Sequence, residues 1–125
     1  MFSSVIVAAG SGTRTHLGYN KLRYLIKGKP LLLYSVMPFL SRGHEVIVVL
    51  NKEDESFFKE YLPKEVKITY GGTTRSESVK NGLQLVSNTY VLIHDAARVY
   101  IQPQLIEMVE NNLGIYDAVC LGKRV

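Results

Sequence analysis

The stretch Ser3-Ser4-Val5-Ile6-Val7-Ala8-Ala9-Gly10-Ser11-Gly12-Thr13-Arg14 decides how this chain is read. Ser3 to Ala9 is short, apolar and β-branched, and Gly10-Ser11-Gly12 stops it, the mark of a buried strand. The same pattern recurs along the chain. Glu45 to Leu50 reads as a strand, Val66 to Tyr70 as another closed by Gly71-Gly72, and Tyr90 to Ile93 as a fourth that ends in His94-Asp95. Asp117 to Leu121 reads as a fifth. Helical patterns lie between them. Leu31 to Leu40 follows Pro30, taken as the first helical residue, and Pro38 should kink or end that helix. Lys52 to Leu62 is expected as a short helix with Phe57, Phe58 and Tyr61 inward, and Arg75 to Val86 as a helix opened by the capping box Thr74-Arg75-Ser76-Glu77. Pro103 to Leu113 is expected as a helix with Gly114 past its end. Thr13 to Asn20 reads as a loop, and Leu22 to Ile26 as a short strand before a Gly28-Lys29 turn. Alternating strands and helices imply one α/β domain over residues 1–125, with a mostly parallel sheet and right-handed crossovers.

Composition narrows the function classes. A single cysteine, Cys120, excludes an internal disulfide and a cysteine-based zinc cage. No apolar run approaches the ~18 residues of a membrane span, and the start lacks a signal-peptide pattern, so a cytoplasmic protein with no membrane partner is expected. Residues 1–44 carry Arg14, Lys21, Arg23, Lys27, Lys29 and Arg42 and no acid, a net +6, whereas residues 45–125 sum to −2. That asymmetry suits an anionic partner or a solvated basic face. The basic segment has only Tyr19 and Tyr24 as aromatics and no recognition-helix pattern, so no nucleic-acid partner is expected.

In a parallel sheet, ligands sit beyond the carboxyl ends of the strands. Three loops there carry unusual residues. The first is Ala8-Ala9-Gly10-Ser11-Gly12-Thr13-Arg14, with Lys21 beyond it: small residues admit a phosphate to the backbone, and the two bases can hold its charge. A tight strand-exit turn is the plain structural alternative. Thr15 occupies the third glycine position of a dinucleotide fingerprint, and no Gly-Lys pair is followed by Ser or Thr, so neither that fingerprint nor a P-loop is present. The second loop is Gly71-Gly72-Thr73-Thr74-Arg75-Ser76-Glu77-Ser78, where glycines meet a helix start and Thr73 and Ser78 add hydroxyls. Glu77 is equally explained by capping. The third is His94-Asp95-Ala96-Ala97-Arg98, in which Asp95 is a candidate Mg²⁺ anchor, directly or through water, or else the cap of a turn. His94 reads as a packed histidine, and His16 and His44 as loop residues.

Together these segments, with Asn20-Lys21, Gly28-Lys29-Pro30-Leu31-Leu32 and Tyr34-Ser35-Val36, resemble the cytidylyltransferases that act on 2-C-methyl-D-erythritol 4-phosphate. Val99, Thr15 and Thr73 depart from residues frequent in that family. The resemblance implies a three-layer αβα, Rossmann-like nucleotidyltransferase fold of the glycosyltransferase-A type. It also implies transfer of CMP from CTP to the alcohol phosphate with release of pyrophosphate, assisted by Mg²⁺ or another divalent cation. Arg14 and Lys21 match the pair that stabilises the transition state. Ala8, Ala9, Gly10, Gly12, Gly72, Thr73, Ser78, Asp95 and Ala96 match the nucleotide pocket, and Arg98 matches a substrate-binding position. The 125 residues correspond to the N-terminal half of the family's chains. An incomplete nucleotidyltransferase domain is therefore expected, lacking the arm that usually builds the homodimer. Two alternatives are a ribitol-5-phosphate cytidylyltransferase and a CTP-binding module without turnover.

Overall fold

In the computed structural model, residues 2–9, 21–97 and 102–113 are described. The expected fifth strand at 117–121 and the loop at 13–20 lie outside them. The elements are β1 (Phe2–Val7), β2 (Leu25–Ile26), β3 (Lys29–Pro30), α1 (Leu31–Ser41), β4 (Glu45–Leu50), α2 (Glu55–Lys59), β5 (Lys67–Tyr70), α3 (Arg75–Leu83), β6 (Tyr90–Asp95) and α4 (Pro103–Leu113). Four strands form one sheet in the order β5-β4-β1-β6, and every pairing is parallel. The α/β layer fold expected from the sequence is the fold observed.

Alternation along the strands divides the core between two faces. Ile6, Val46, Val48 and Leu50 point to a large cluster with Leu32, Val36 and Phe39 of α1, Phe58 of α2, and Ile106 and Val109 of α4. Val5, Val7 and Val49 point the other way, toward Val79 of α3 and Val86. Three layers result. Gly82 lets α3 approach the sheet closely: a Cβ there would lie 2.5 Å from Val5 Cγ1 and 3.0 Å from Val49 Cγ2.

Several local expectations change. Pro30 is not helical: it pairs with Leu25 in β3, its backbone is extended, and the helix begins at Leu31. The preceding turn is Lys27-Gly28, both with positive φ, 53° and 77°, which closes a two-residue hairpin rather than a Gly28-Lys29 turn. Lys21–Arg23 is a 3-10 turn, so the expected strand shrinks to β2. Pro38 does not end α1, which runs on to Ser41; Gly43, with φ 77°, ends it by donating to the Leu40 carbonyl while His44 donates to that of Phe39. The Lys52–Leu62 helix is split into a 3-10 turn, Lys52–Asp54, and the short α2. α3 stops at Leu83, short of Val86.

His44 lies in the loop between α1 and β4, as expected, but it is buried and links the layers. Its Nδ1 meets Ser4 Oγ at 2.6 Å and its Nε2 meets Glu110 of α4, with Phe2 stacked on the ring. His94, expected as a packed histidine, is half-buried with its ring 5.3 Å from that of Phe39.

Candidate nucleotide site

The three loops singled out at the carboxyl end of the sheet each begin with a hydrogen bond that extends a ladder. Ala8 N–H donates to the Val49 carbonyl at 2.8 Å, Gly71 N–H to that of Leu50 at 2.9 Å, and Ala96 N–H to that of Val7 at 2.9 Å. The loops after β1, β5 and β6 therefore leave the same edge of one parallel sheet, beyond the carboxyl ends of its strands and with β4 standing between β5 and β1, as the sequence predicts. Ala8 and Ala96 are buried, Ala9 is half-buried, and Asp95 is exposed.

The first and second loops touch. A Cβ on Gly71 would stand 2.3 Å from Ala9 Cβ and 2.9 Å from Ser78 Oγ, so only glycine fits there. The sequence alone assigns Gly71 no role, because its tight neighbour Ala9 is remote along the chain. Gly72 has a local reason of its own, because a Cβ there would lie 2.4 Å from both Cβ and Oε2 of Glu77.

The hydroxyls of this loop are used internally. Ser78, buried, accepts from Gly72 N–H at 3.1 Å and donates to the Thr74 carbonyl at 3.1 Å. Thr74 caps α3 by accepting from Glu77 N–H at 3.1 Å. The Glu77 carboxylate returns not to Thr74 but to Thr73, accepting from its N–H at 2.8 Å and its hydroxyl at 2.9 Å. Those bonds hold its carboxyl below the usual carboxylate range, the Thr73 N–H contributing most. A charged cap thus fixes the outer strand of the loop.

The third loop is held from below. Buried Ser35 of α1 donates to the Ala96 carbonyl at 2.9 Å, a contact the sequence reading did not foresee. Its signal was a lone hydroxyl between Leu32 and Phe39 on a buried helix face. Asp95 Oδ1 accepts from Ala97 N–H at 3.2 Å, so the turn-capping role is realised.

Lys21 is exposed and opens the 3-10 turn that Arg23 closes; Arg23 is bonded to Asp54, which lies just past β4. Gly10, Gly12, Arg14 and Arg98 lie outside the described residues. Among the described residues no cluster of three or more His, Cys, Asp or Glu groups is placed to hold a metal ion, and no helix is long and apolar enough to cross a membrane.

Comparison with known proteins agrees with this geometry. The family model described as IspD, 2-C-methyl-D-erythritol 4-phosphate cytidylyltransferase, matches residues 2–122. A relative of that name from Clostridioides difficile (strain 630) is 38% identical over 115 residues, covering 85% of this chain and 48% of the relative. The bifunctional IspDF structure from Campylobacter jejuni superposes with a TM-score of 0.79 at 28% identity, over 90% of this chain and 30% of that one. The 4-diphosphocytidyl-2C-methyl-D-erythritol synthase structure from Anaerococcus prevotii gives a TM-score of 0.73 at 28% identity, over 90% of this chain and 51% of that one. The chain spans about half the length of the curated single-function relatives it matches. Sequence and fold together show that the chain belongs to the 2-C-methyl-D-erythritol 4-phosphate cytidylyltransferase family.

Proposed function

We propose that this chain carries the CTP-binding part of an enzyme that transfers CMP from CTP to 2-C-methyl-D-erythritol 4-phosphate. The observation that carries the reading is the junction of Ala9 with Gly71 and Ser78, which brings two small-residue loops together above the parallel sheet. Small residues at such a junction would let a nucleotide lying over it approach the backbone closely. Family membership supplies the chemistry. A phosphate oxygen of the alcohol attacks the α-phosphorus of CTP, the bond to the bridging oxygen breaks, and pyrophosphate leaves with the electron pair.

This reaction needs positioning and charge neutralisation more than covalent help. Arg14 and Lys21 are proposed to meet the charge that develops on the α-phosphate and the bridging oxygen. Ala8, Ala9, Gly10, Gly12, Gly72, Thr73, Ser78 and Ala96 would line the nucleotide, and Arg98 would hold the alcohol phosphate. Internal bonding of Ser78 and Thr73 suggests that these two act mainly by shaping the loop.

The donor set at the site fits a divalent ion held largely by phosphate oxygens and water, as Mg²⁺ is, because such an ion needs few protein carboxylates. Asp95, exposed at the end of β6, would supply one oxygen. When bound there, Mg²⁺ supplies charge neutralisation on the triphosphate. The proposed reactants are charged, water-soluble metabolites, so the proposed compartment is the cytoplasm.

Calorimetry of the chain with CTP, ATP, GTP and UTP in the presence of Mg²⁺ tests the reading. Selective heat with CTP is expected. A folded chain, judged by a circular dichroism melt, that binds none of the four or prefers none would overturn it.

A further inference from the structure

The turn that carries Lys21 is tied to the sheet by a connection that the proposed chemistry does not by itself require. Tyr24 N–H donates to the Lys21 carbonyl at 3.0 Å and closes the turn, while the middle residue, Leu22, is buried in the core. One buried side chain fixes a point but not an orientation. Leu31 N–H, donating to the Tyr24 carbonyl at 2.9 Å, ties the end of the turn to α1, and Arg23 adds a restraint on the turn itself. Its Nε donates to Asp54 Oδ1 at 2.9 Å, one terminal nitrogen lies 2.7 Å from the same oxygen, and that nitrogen donates to the Glu53 carbonyl at 3.1 Å. The guanidinium also lies over the Phe57 ring, 5.1 Å from its centroid.

Asp54 is well placed to be such an anchor. It is 3% exposed, and its N–H donates to the Asn51 carbonyl at 2.9 Å. Asn51 directly follows Leu50, the last residue of β4, whose carbonyl receives Gly71 N–H. The same strand end thus holds the Gly71-Gly72 loop and, through Asp54 and Arg23, the turn with Lys21. A planar, always-charged guanidinium on a buried carboxylate holds orientation better than a flexible ammonium.

We propose that Arg23 is a positioning residue for Lys21: gripping Asp54 and lying over Phe57, it aims the turn so that the Lys21 ammonium faces the bound triphosphate. The inference rests on the reading of Lys21 as a nucleotide-facing group, and its test separates the two. The probe is trace acylation by acetic anhydride, read at each lysine by mass spectrometry, with and without saturating CTP and Mg²⁺. In the native chain CTP should slow acylation of Lys21 on the order of tenfold, since an ammonium held on phosphates offers no free amine. Lys59 and Lys64 serve as references and should not respond. Arg23→Met keeps an unbranched stem but removes the guanidinium, and Asp54→Asn keeps the anchor's volume. In each the protection at Lys21 should fall to about twofold or less, because small misplacements of a charged group are costly. Arg23→Lys keeps the charge without the fork and should behave like Arg23→Met. Full protection in both Arg23→Met and Asp54→Asn, or rescue by Arg23→Lys, would overturn the positioning role alone. A native chain that binds CTP but leaves Lys21 unprotected would overturn the reading of Lys21 and the positioning role with it. Failure of the native chain to bind CTP at all would overturn both.

Discussion

Gly71 and Ala9 meet so closely that a Cβ on Gly71 would stand 2.3 Å from the Ala9 Cβ. The contact joins the loop after β5 to the exit of β1, and neither partner can yield by rotating a side chain. Gly71→Ala must therefore move backbone. Overpacking of this kind costs on the order of 1–3 kcal/mol. Thermal melts should show that loss, and calorimetry should show weaker CTP binding than the remaining folded fraction accounts for. Native CTP affinity in a folded Gly71→Ala chain would separate the junction from the nucleotide site.

Ser35 does for the third loop what Gly71 does for the second. With its hydroxyl buried and donating to the Ala96 carbonyl, Ser35→Ala leaves that acceptor without its donor. An orphaned buried acceptor costs about 1–3 kcal/mol. The variant should melt earlier and bind CTP more weakly, because Asp95 and Ala96 share the loop. Ser41→Ala on the same helix removes only an exposed bond to Pro38 and should do neither.

Much of this arrangement could be read from residues. β4 alternates between two buried faces, and the runs stopped by glycines at Gly10 and Gly71 announced both the parallel sheet and the end of it that matters. Capping of α3 was legible because Thr74 and Glu77 are near neighbours in sequence. What escaped was long-range or cooperative. Pro30 reads as a helix start until the Lys27-Gly28 hairpin claims it for a strand. His44, Ser35 and Arg23 each look like ordinary polar residues until a partner 66, 61 or 31 positions away is brought to them. No local period encodes such pairs.

Glu45 gives the fold an acid-sensitive joint on the side of the sheet opposite the proposed site. It accepts from Lys67 Nζ at 2.7 Å, from Ser87 N–H at 2.8 Å, and from the hydroxyls of Ser3 and Ser87. The Lys67 bond first, then the Ser87 N–H, hold its carboxyl at about 2 against an ordinary 4.5. A lowered folded-state value means the unfolded chain takes up the proton first. The contribution of Glu45 is therefore complete above pH 4.5 and is lost as the pH falls toward about 2. Melting temperatures of the native chain and Glu45→Gln should differ above that window and converge at its lower end. A constant gap across the window would show that the charge contributes nothing.

Glu110 is the corresponding joint for α4. Arg42 lies 2.6 Å from Oε1, and His44 bonds Oε2 while its other nitrogen meets Ser4 of β1. Burial alone would raise the Glu110 carboxyl, but the bonds from Arg42 and His44 outweigh it and hold the group below the usual range. Glu110→Ala would leave a buried imidazole and a guanidinium without their shared acceptor. Leaving the buried His44 donor without its acceptor costs about 1–3 kcal/mol, while the exposed Arg42 can turn to water. The loss should fall on the docking of α4, so hydrogen exchange should quicken in α4 more than in the central strands β1 and β4. Because the folded carboxyl is more acidic than the unfolded one, the penalty should be full at neutral pH and shrink as acid protonates Glu110 in the native chain. His44→Phe offers the complementary check: it keeps a ring between Phe2 and Phe39 but removes both nitrogens, leaving Glu110 with Arg42. A milder loss than in Glu110→Ala is expected. Equal losses in the two variants would mean that the His44 nitrogens, and not Arg42, carry the whole contribution of the Glu110 carboxylate.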